Sequence, residues 1–201
     1  MEGKTLEEIA EKLLSFEGKV KGEAFRTHKQ YIEKKEGEEA VKKVEEKMAQ
    51  LGAPIEFEKI KPLRWYDEGK SSLVVVVAKE IFNWSKDDIY EMGRFSSKSS
   101  FIVKVLMRYF VSLDKVLKEA PKYWRKYCDF GEVEVVELNK KRKYIMLRIR
   151  ETDLHPLVCL FYAGYFHGFA EMNIKSEEIK VEEIKCRSKG DPYHEYLITW
   201  K

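Results

Sequence analysis

Four side chains in the last third of the chain have the types and spacing of a metal site. They are Glu183-x-x-Cys186, then His194 beyond a seven-residue gap, with Cys159 upstream. Zinc takes four ligands in a tetrahedron, drawn from thiolate, imidazole and carboxylate. The gap contains Gly190 and the turn-prone pair Asp191-Pro192, so Cys186 ends one strand, His194 begins the next, and the two ends meet at one sheet edge. In the last strand His194, Tyr196, Ile198 and Trp200 share the apolar face. In the strand before it Ile179 and Val181 point inward, but so do Ile184 and Cys186, which are out of step. A one-residue bulge near Glu183 restores the phase. It also turns the Glu183 carboxylate toward the side that Cys186 faces, where it needs a cation or strong donors. The plainer account is a cysteine buried as a small hydrophobe, a hydrogen-bonded histidine and a surface glutamate. No CxxC pair adds weight to the metal.

Other candidates are weaker. His155 lies four residues before Cys159, but it directly precedes Pro156 and suits an N-cap better than a ligand. His167, beside Gly168 in an apolar helix, reads as a core histidine. Cys128 has no partner in sequence and reads as inert. Aromatic residues recur in segments expected to pack on a sheet, and Trp84, Phe101, Tyr109, Trp124, Tyr162 and Phe166 are the candidates for a pocket wall. Each taken singly reads first as core.

The elements that must position these groups change in kind along the chain. Leu6, Ile9, Leu13 and Leu14 mark a short amphipathic helix capped by Thr5. A second helical region runs from about 23 to 51, broken near Gly37, with a narrow apolar stripe of Ala40, Val41, Val44, Met48 and Leu51. Residues 54–70 are ambiguous, and LVVVVAKEIF fits helix or strand. Ser85 caps a helix through Met92, another starts at Ser99 or Ser100, and a third spans about 113–130, ending at Gly131. GEVEVVEL and KYIMLRIR then form a hairpin with Ile145, Leu147 and Ile149 inward. Pro156 opens a helix to about Met172 that is apolar almost all round. Strands follow over about 177–187 and 193–200. The fold class expected is α+β, with helices packed on one face of a four-stranded antiparallel sheet, in the order helices-ββ-α-ββ.

With 201 residues, 44% hydrophobic and 13% aromatic, the chain has enough apolar material for a real core. Its 38 basic and 35 acidic side chains leave a net charge of +3, interspersed rather than gathered, which gives no footprint for nucleic acid. The longest apolar run, Leu73–Ala78, is too short to span a bilayer, and residues 1–16 lack a signal-peptide pattern. A cytoplasmic location is expected, where three cysteines are unlike a disulfide framework. Glutamine occurs only at Gln30 and Gln50. Scarce amides beside abundant Lys and Glu fit a heat-loving source.

The stretches HPLVCLFYAGYFHGFAEM and VEEIKCRSKGDPYHEYLITW resemble the closing segment of the 4-vinyl-reductase domain. That family shows a Cys in an apolar helix, a Glu-x-x-Cys, a glycine turn and a second Cys before the final strand. The resemblance implies a zinc site at Cys159, Glu183, Cys186 and His194, with His194 replacing the usual cysteine, closed and structural rather than catalytic. It also implies that residues 71–84 are helical, and that residues 1–60 form an arm or dimerisation region ahead of a ligand-binding domain at 61–201. The function implied is binding or sensing of a small apolar or aromatic ligand, with no direct nucleic-acid or membrane partner. A signal would pass to a partner or through a homodimer built on the stripe at Val41, Val44, Met48 and Leu51. The wider superfamily includes haem domains that bind nitric oxide, but those hold the propionates with Tyr-x-Ser-x-Arg. Its absence here sets the expectation of no haem. Two alternatives remain: a reductase of tetrapyrrole metabolism, weakened by the lack of GxGxxG, and a protein-interaction scaffold.

Overall fold

The computed structural model describes residues 4–107, 112–152 and 154–201. Helix α1 spans Leu6–Leu14 and starts as its sequence dictates. Thr5 Oγ1 accepts from the Glu8 amide at 3.2 Å, and the Glu8 carboxylate accepts from the Thr5 amide at 2.8 Å, a reciprocal capping box. Helices α2 (Glu23–Glu36) and α3 (Glu39–Gln50) follow, separated at Gly37. The stripe on α3 is not exposed. Ala40, Val41, Val44 and Met48 are buried within the chain, because α3 lies against α2 and α4. The expected pairing of two copies through this stripe thereby loses its argument.

Strands β1 (Lys19–Lys21) and β2 (Trp65–Asp67) form a small antiparallel sheet that the sequence reading did not foresee. Helix α4, Glu68–Ile81, follows directly. Its run from Leu73 to Ala78 is buried on all sides. A segment at the centre of the core has no polar face to show, so packing overrides the strand preference of four consecutive valines. Ser85 caps α5 with Asp88 in a second capping box, and α5 runs past Met92 to Ser99. Helices α6 (Phe101–Met107) and α7 (Leu113–Tyr127) lead to the main sheet.

That sheet comprises β3 (Glu132–Asn139), β4 (Tyr144–Arg150), β5 (Ile179–Lys185) and β6 (His194–Trp200). It is antiparallel, in the order β3-β4-β6-β5. Ile145, Leu147 and Ile149 stand opposite Ile198, Tyr196 and His194, and this face packs on helix α8, Pro156–Asn173, through Ala163, Phe166 and Ala170. On the other face Arg148 reaches Glu195 at 2.6 and 2.9 Å and Glu134 at 3.5 Å. The β5–β6 register shifts between Glu183 and Lys185, where the phase of the apolar residues required a bulge. Ile184 was expected inward and is instead 44% exposed, because it is itself the extra residue.

Helices α5 and α8 cross with almost nothing between them. A Cβ on Gly164 would lie 1.8 Å from the Tyr90 carbonyl oxygen, and one on Gly93 would lie 1.9 Å from that of Phe161. Only glycine permits backbones this close. Among the described residues no helix is long and apolar enough to cross a membrane.

Candidate ligand cavity and donor cluster

Two sites share α8. At its N-terminal end His155 caps the helix, accepting from the Leu157 amide at 3.2 Å, which removes it from metal chemistry. One turn on, Cys159 faces the start of β6. Its sulfur lies 3.6 Å from His194 Nδ1 and 4.0 Å from Cys186 Sγ, and His194 Nδ1 lies 2.9 Å from Glu183 Oε1. Donor atoms of Cys159, Glu183, Cys186 and His194 all fall within 4.8 Å of one another, both cysteines and the histidine being buried. The bulge in β5 and the turn from Cys186 to His194 bring three of them together, and α8 brings the fourth. Burial pushes the Cys159 and Cys186 thiols up, and the nearby Glu183 carboxylate adds to it. As protonated thiols they are poor nucleophiles and must release protons to bind a cation. His194 Nε2 lies 3.3 Å from the Thr152 carbonyl oxygen, the kind of outer contact that fixes a ligating ring.

The second site is a cavity of about 140 Å³ between α2, α4, α5, α6, α7, α8 and the sheet. Of the expected pocket residues, Trp124, Tyr162 and Phe166 line it. Trp84 does not: it is buried elsewhere, donating its indole N–H to Glu36 at 2.7 Å and packing on Tyr31. Phe101 is 42% exposed, outside the cavity. Tyr109 lies outside the described residues.

Sequence reasoning missed the polar part of the wall, which comprises Thr27, His28, Glu68, Ser71, Ser72 and Ser96. His28 Nε2 is 3.2 Å from Ser71 Oγ, while His28 Nδ1 and Ser96 Oγ are buried without a protein partner. Burial pushes the His28 pKa down to about 3, so the ring is neutral at ordinary pH. Burial likewise raises Glu68 to about 8, against the hydrogen bond it accepts from Ser72 at 2.8 Å. Glu68 is therefore largely an uncharged carboxylic acid at neutral pH. A titratable residue one turn before a buried apolar run, such as Glu68 before LVVVVA, was the available signal. His167, by contrast, is half-buried and already partnered, with Nδ1 2.7 Å from the Tyr90 hydroxyl. Cys128 lines the cavity with its thiol pushed well up by burial.

No family model and no curated protein matches the chain. Solved structures do match. An H-NOX (haem NO/oxygen-binding) protein from S. oneidensis in the Fe(II)NO ligation state superposes with a TM-score of 0.69 at 16% identity, over 90% of this chain and 99% of that one. A triple mutant of an H-NOX protein from S. oneidensis in the Fe(II) state gives 0.70 at 15%, over 90% and 96%. A structure concerned with haem redox potential and porphyrin distortion gives 0.60 at 17%, over 90% and 100%. At such identities the likeness carries the fold.

Two expectations are corrected by this finding. The neighbours are H-NOX domains, and nothing points to the 4-vinyl-reductase family. The cofactor reading, zinc and no haem, falls with it. The neighbours are described by Fe(II) ligation states and haem, and no comparison supplies zinc. The missing Tyr-x-Ser-x-Arg does not set the chain's fold apart from that of these neighbours.

Proposed function

We propose that this is a small-molecule-sensing domain whose ligand occupies the cavity between the helices and the sheet. The observation that supports the reading is an apolar space of about 140 Å³ at the heart of the fold. Dry cavities near this size take up molecules such as benzene. A solved neighbour is described in an NO-ligated state, which agrees with a fold that admits small molecules.

Haem is the group the neighbours bring to mind, and the wall meets it in part. His28 offers a buried, neutral imidazole with an unpartnered nitrogen. However, no Lys or Arg is among the described residues lining the cavity, and buried propionates need paired cations. The space also matches a ligand of about six carbons rather than a macrocycle. The described wall does not fit haem at this volume. The test is thermal unfolding in benzene-saturated buffer. Wild type should gain stability by mass action, and Val116→Trp, which fills the space, should gain none. Equal response of the two proteins would remove the cavity as the site. A haemin titration giving a Soret band that His28→Ala abolishes would put haem there instead.

The donor cluster supports a second reading, a closed site for one divalent metal ion held by Cys159, Glu183, Cys186 and His194. Its support is the convergence of four donors of ligand type within 4.8 Å. With every position filled by protein, such a site ties α8 to the β5–β6 hairpin rather than to a substrate. Elemental analysis should find about one ion per chain, reduced in Cys159→Ser and His194→Ala. Metal content no higher than in a variant lacking all four donors would end the reading.

A further inference from the structure

The cavity's polar side has a chemistry of its own. His28 Nδ1 and Ser96 Oγ are buried with no partner, and each such orphan carries a desolvation cost that a bound group can relieve. The same cavity is lined by the hydroxyls of Thr27, Ser71 and Ser72 and by the carboxyl of Glu68, all largely neutral near pH 7. Thr27 already donates to the Ala24 carbonyl and Ser72 to Glu68, so the unmet capacity is at His28 and Ser96. The remainder of the wall is aliphatic and aromatic apart from the Cys128 thiol and the Asn173 amide, which donates to the Phe169 carbonyl, and Phe161 stands edge-on to the His28 ring at 5.2 Å.

Resting on the reading that the cavity holds a ligand, we infer that it selects an uncharged molecule of about six carbons with a hydroxyl-type head. His28 and Ser96 are its specificity-determining residues. A hydroxyl both donates and accepts, so it satisfies Nδ1 whichever ring nitrogen bears the proton. It can also take the Ser96 proton. An anionic head would meet no cation in the described wall, so its desolvation would go uncompensated. A bare hydrocarbon would fill the space and leave both orphans unmet.

The experiment compares 1-hexanol, hexane and hexanoate with the full chain, by calorimetry or ligand-observed NMR at pH 7. Hexanol should bind about tenfold more tightly than hexane, the worth of one added buried hydrogen bond, and hexanoate more weakly than hexanol by at least as much. In Ser96→Ala, a small change tolerated by packing, and in His28→Leu, the preference of hexanol over hexane should shrink while hexane binding persists. Equal hexanol and hexane affinities in wild type, a preference for hexanoate, or an unchanged preference in both variants would each overturn the inference while leaving an apolar site standing. Failure of all three probes to bind, with Val116→Trp behaving as wild type, would instead remove the cavity reading itself.

Discussion

The two ends of α8 present opposite solutions to burying polar atoms. At Cys159 four polar groups crowd within 4.8 Å and meet one another, His194 bonding Glu183 and the Thr152 carbonyl. Along the next turns the same helix faces a cavity in which apolar walls surround His28 and Ser96 with atoms left unmet. A crowded cluster is closed to anything larger than an ion. A cavity with unmet polar atoms invites a molecule that brings its own. The contrast teaches that unsatisfied hydrogen-bonding capacity, more than the number of polar residues, marks where a ligand of some size belongs.

A large effect at fixed pH should come from the helix crossing on which both sites depend. Gly164→Ala places a methyl against the Tyr90 carbonyl and should cost about 3 kcal/mol in urea unfolding, at the upper end for overpacking. Removing metal from the donor cluster should come next. Chelation of wild type should lower the melting temperature, while Cys186→Ser should respond little, and binding should release about two protons because both thiols are protonated in the free protein. Proton release measured in weak buffer would separate this site from the cavity, where no proton exchange is expected with a neutral ligand.

A third effect divides the cavity by pH. Glu68 has its folded pKa raised from 4.5 to about 8, so the folded state holds the proton more tightly, and stability is full below pH 4.5 and lost as pH rises toward 8. The slope is at most about 1.4 kcal/mol per pH unit. Glu68→Gln should flatten the unfolding free energy over that range. His28, lowered from 6.5 to about 3, acts oppositely, and stability falls as pH drops below 6.5 because the unfolded chain takes the proton first. His28→Leu should remove that acid-side loss. The smallest effect lies outside both sites: Thr5→Ala should cost about 1 kcal/mol by deleting the α1 cap, with ligand and metal binding unchanged.

What the sequence made legible is the short-range part of this contrast. Phase along two strands, with a turn between them, anticipated the bulge near Glu183 and the meeting of Cys186 with His194, since both follow from local alternation. It misplaced Ile184, because alternation does not say which residue a bulge expels. Capping residues located the starts of α1, α5 and α8. The cavity was less legible. Trp84 precedes the α5 cap and packs on Tyr31, while Trp124 lies within α7 and lines the cavity, and only the assembly of the helices decides which of them meets the ligand space. Helix α4 shows the same limit, since four valines favour a strand until burial on every side outweighs propensity. The α3 stripe looked like a partner surface because the return of α2 and α4 against it is set by the fold and not by local pattern.

The glycine contact between α5 and α8 has a mechanical corollary. Backbones in direct touch, Gly93 on the Phe161 carbonyl and Gly164 on that of Tyr90, behave as a keyed joint that neither slides nor twists without collision. The pair therefore acts as a fixed post. Any swelling of the chamber to admit a guest must be borne by the opposite wall, and the outward message of occupancy would be a displacement of α2 or α7 rather than of the joint.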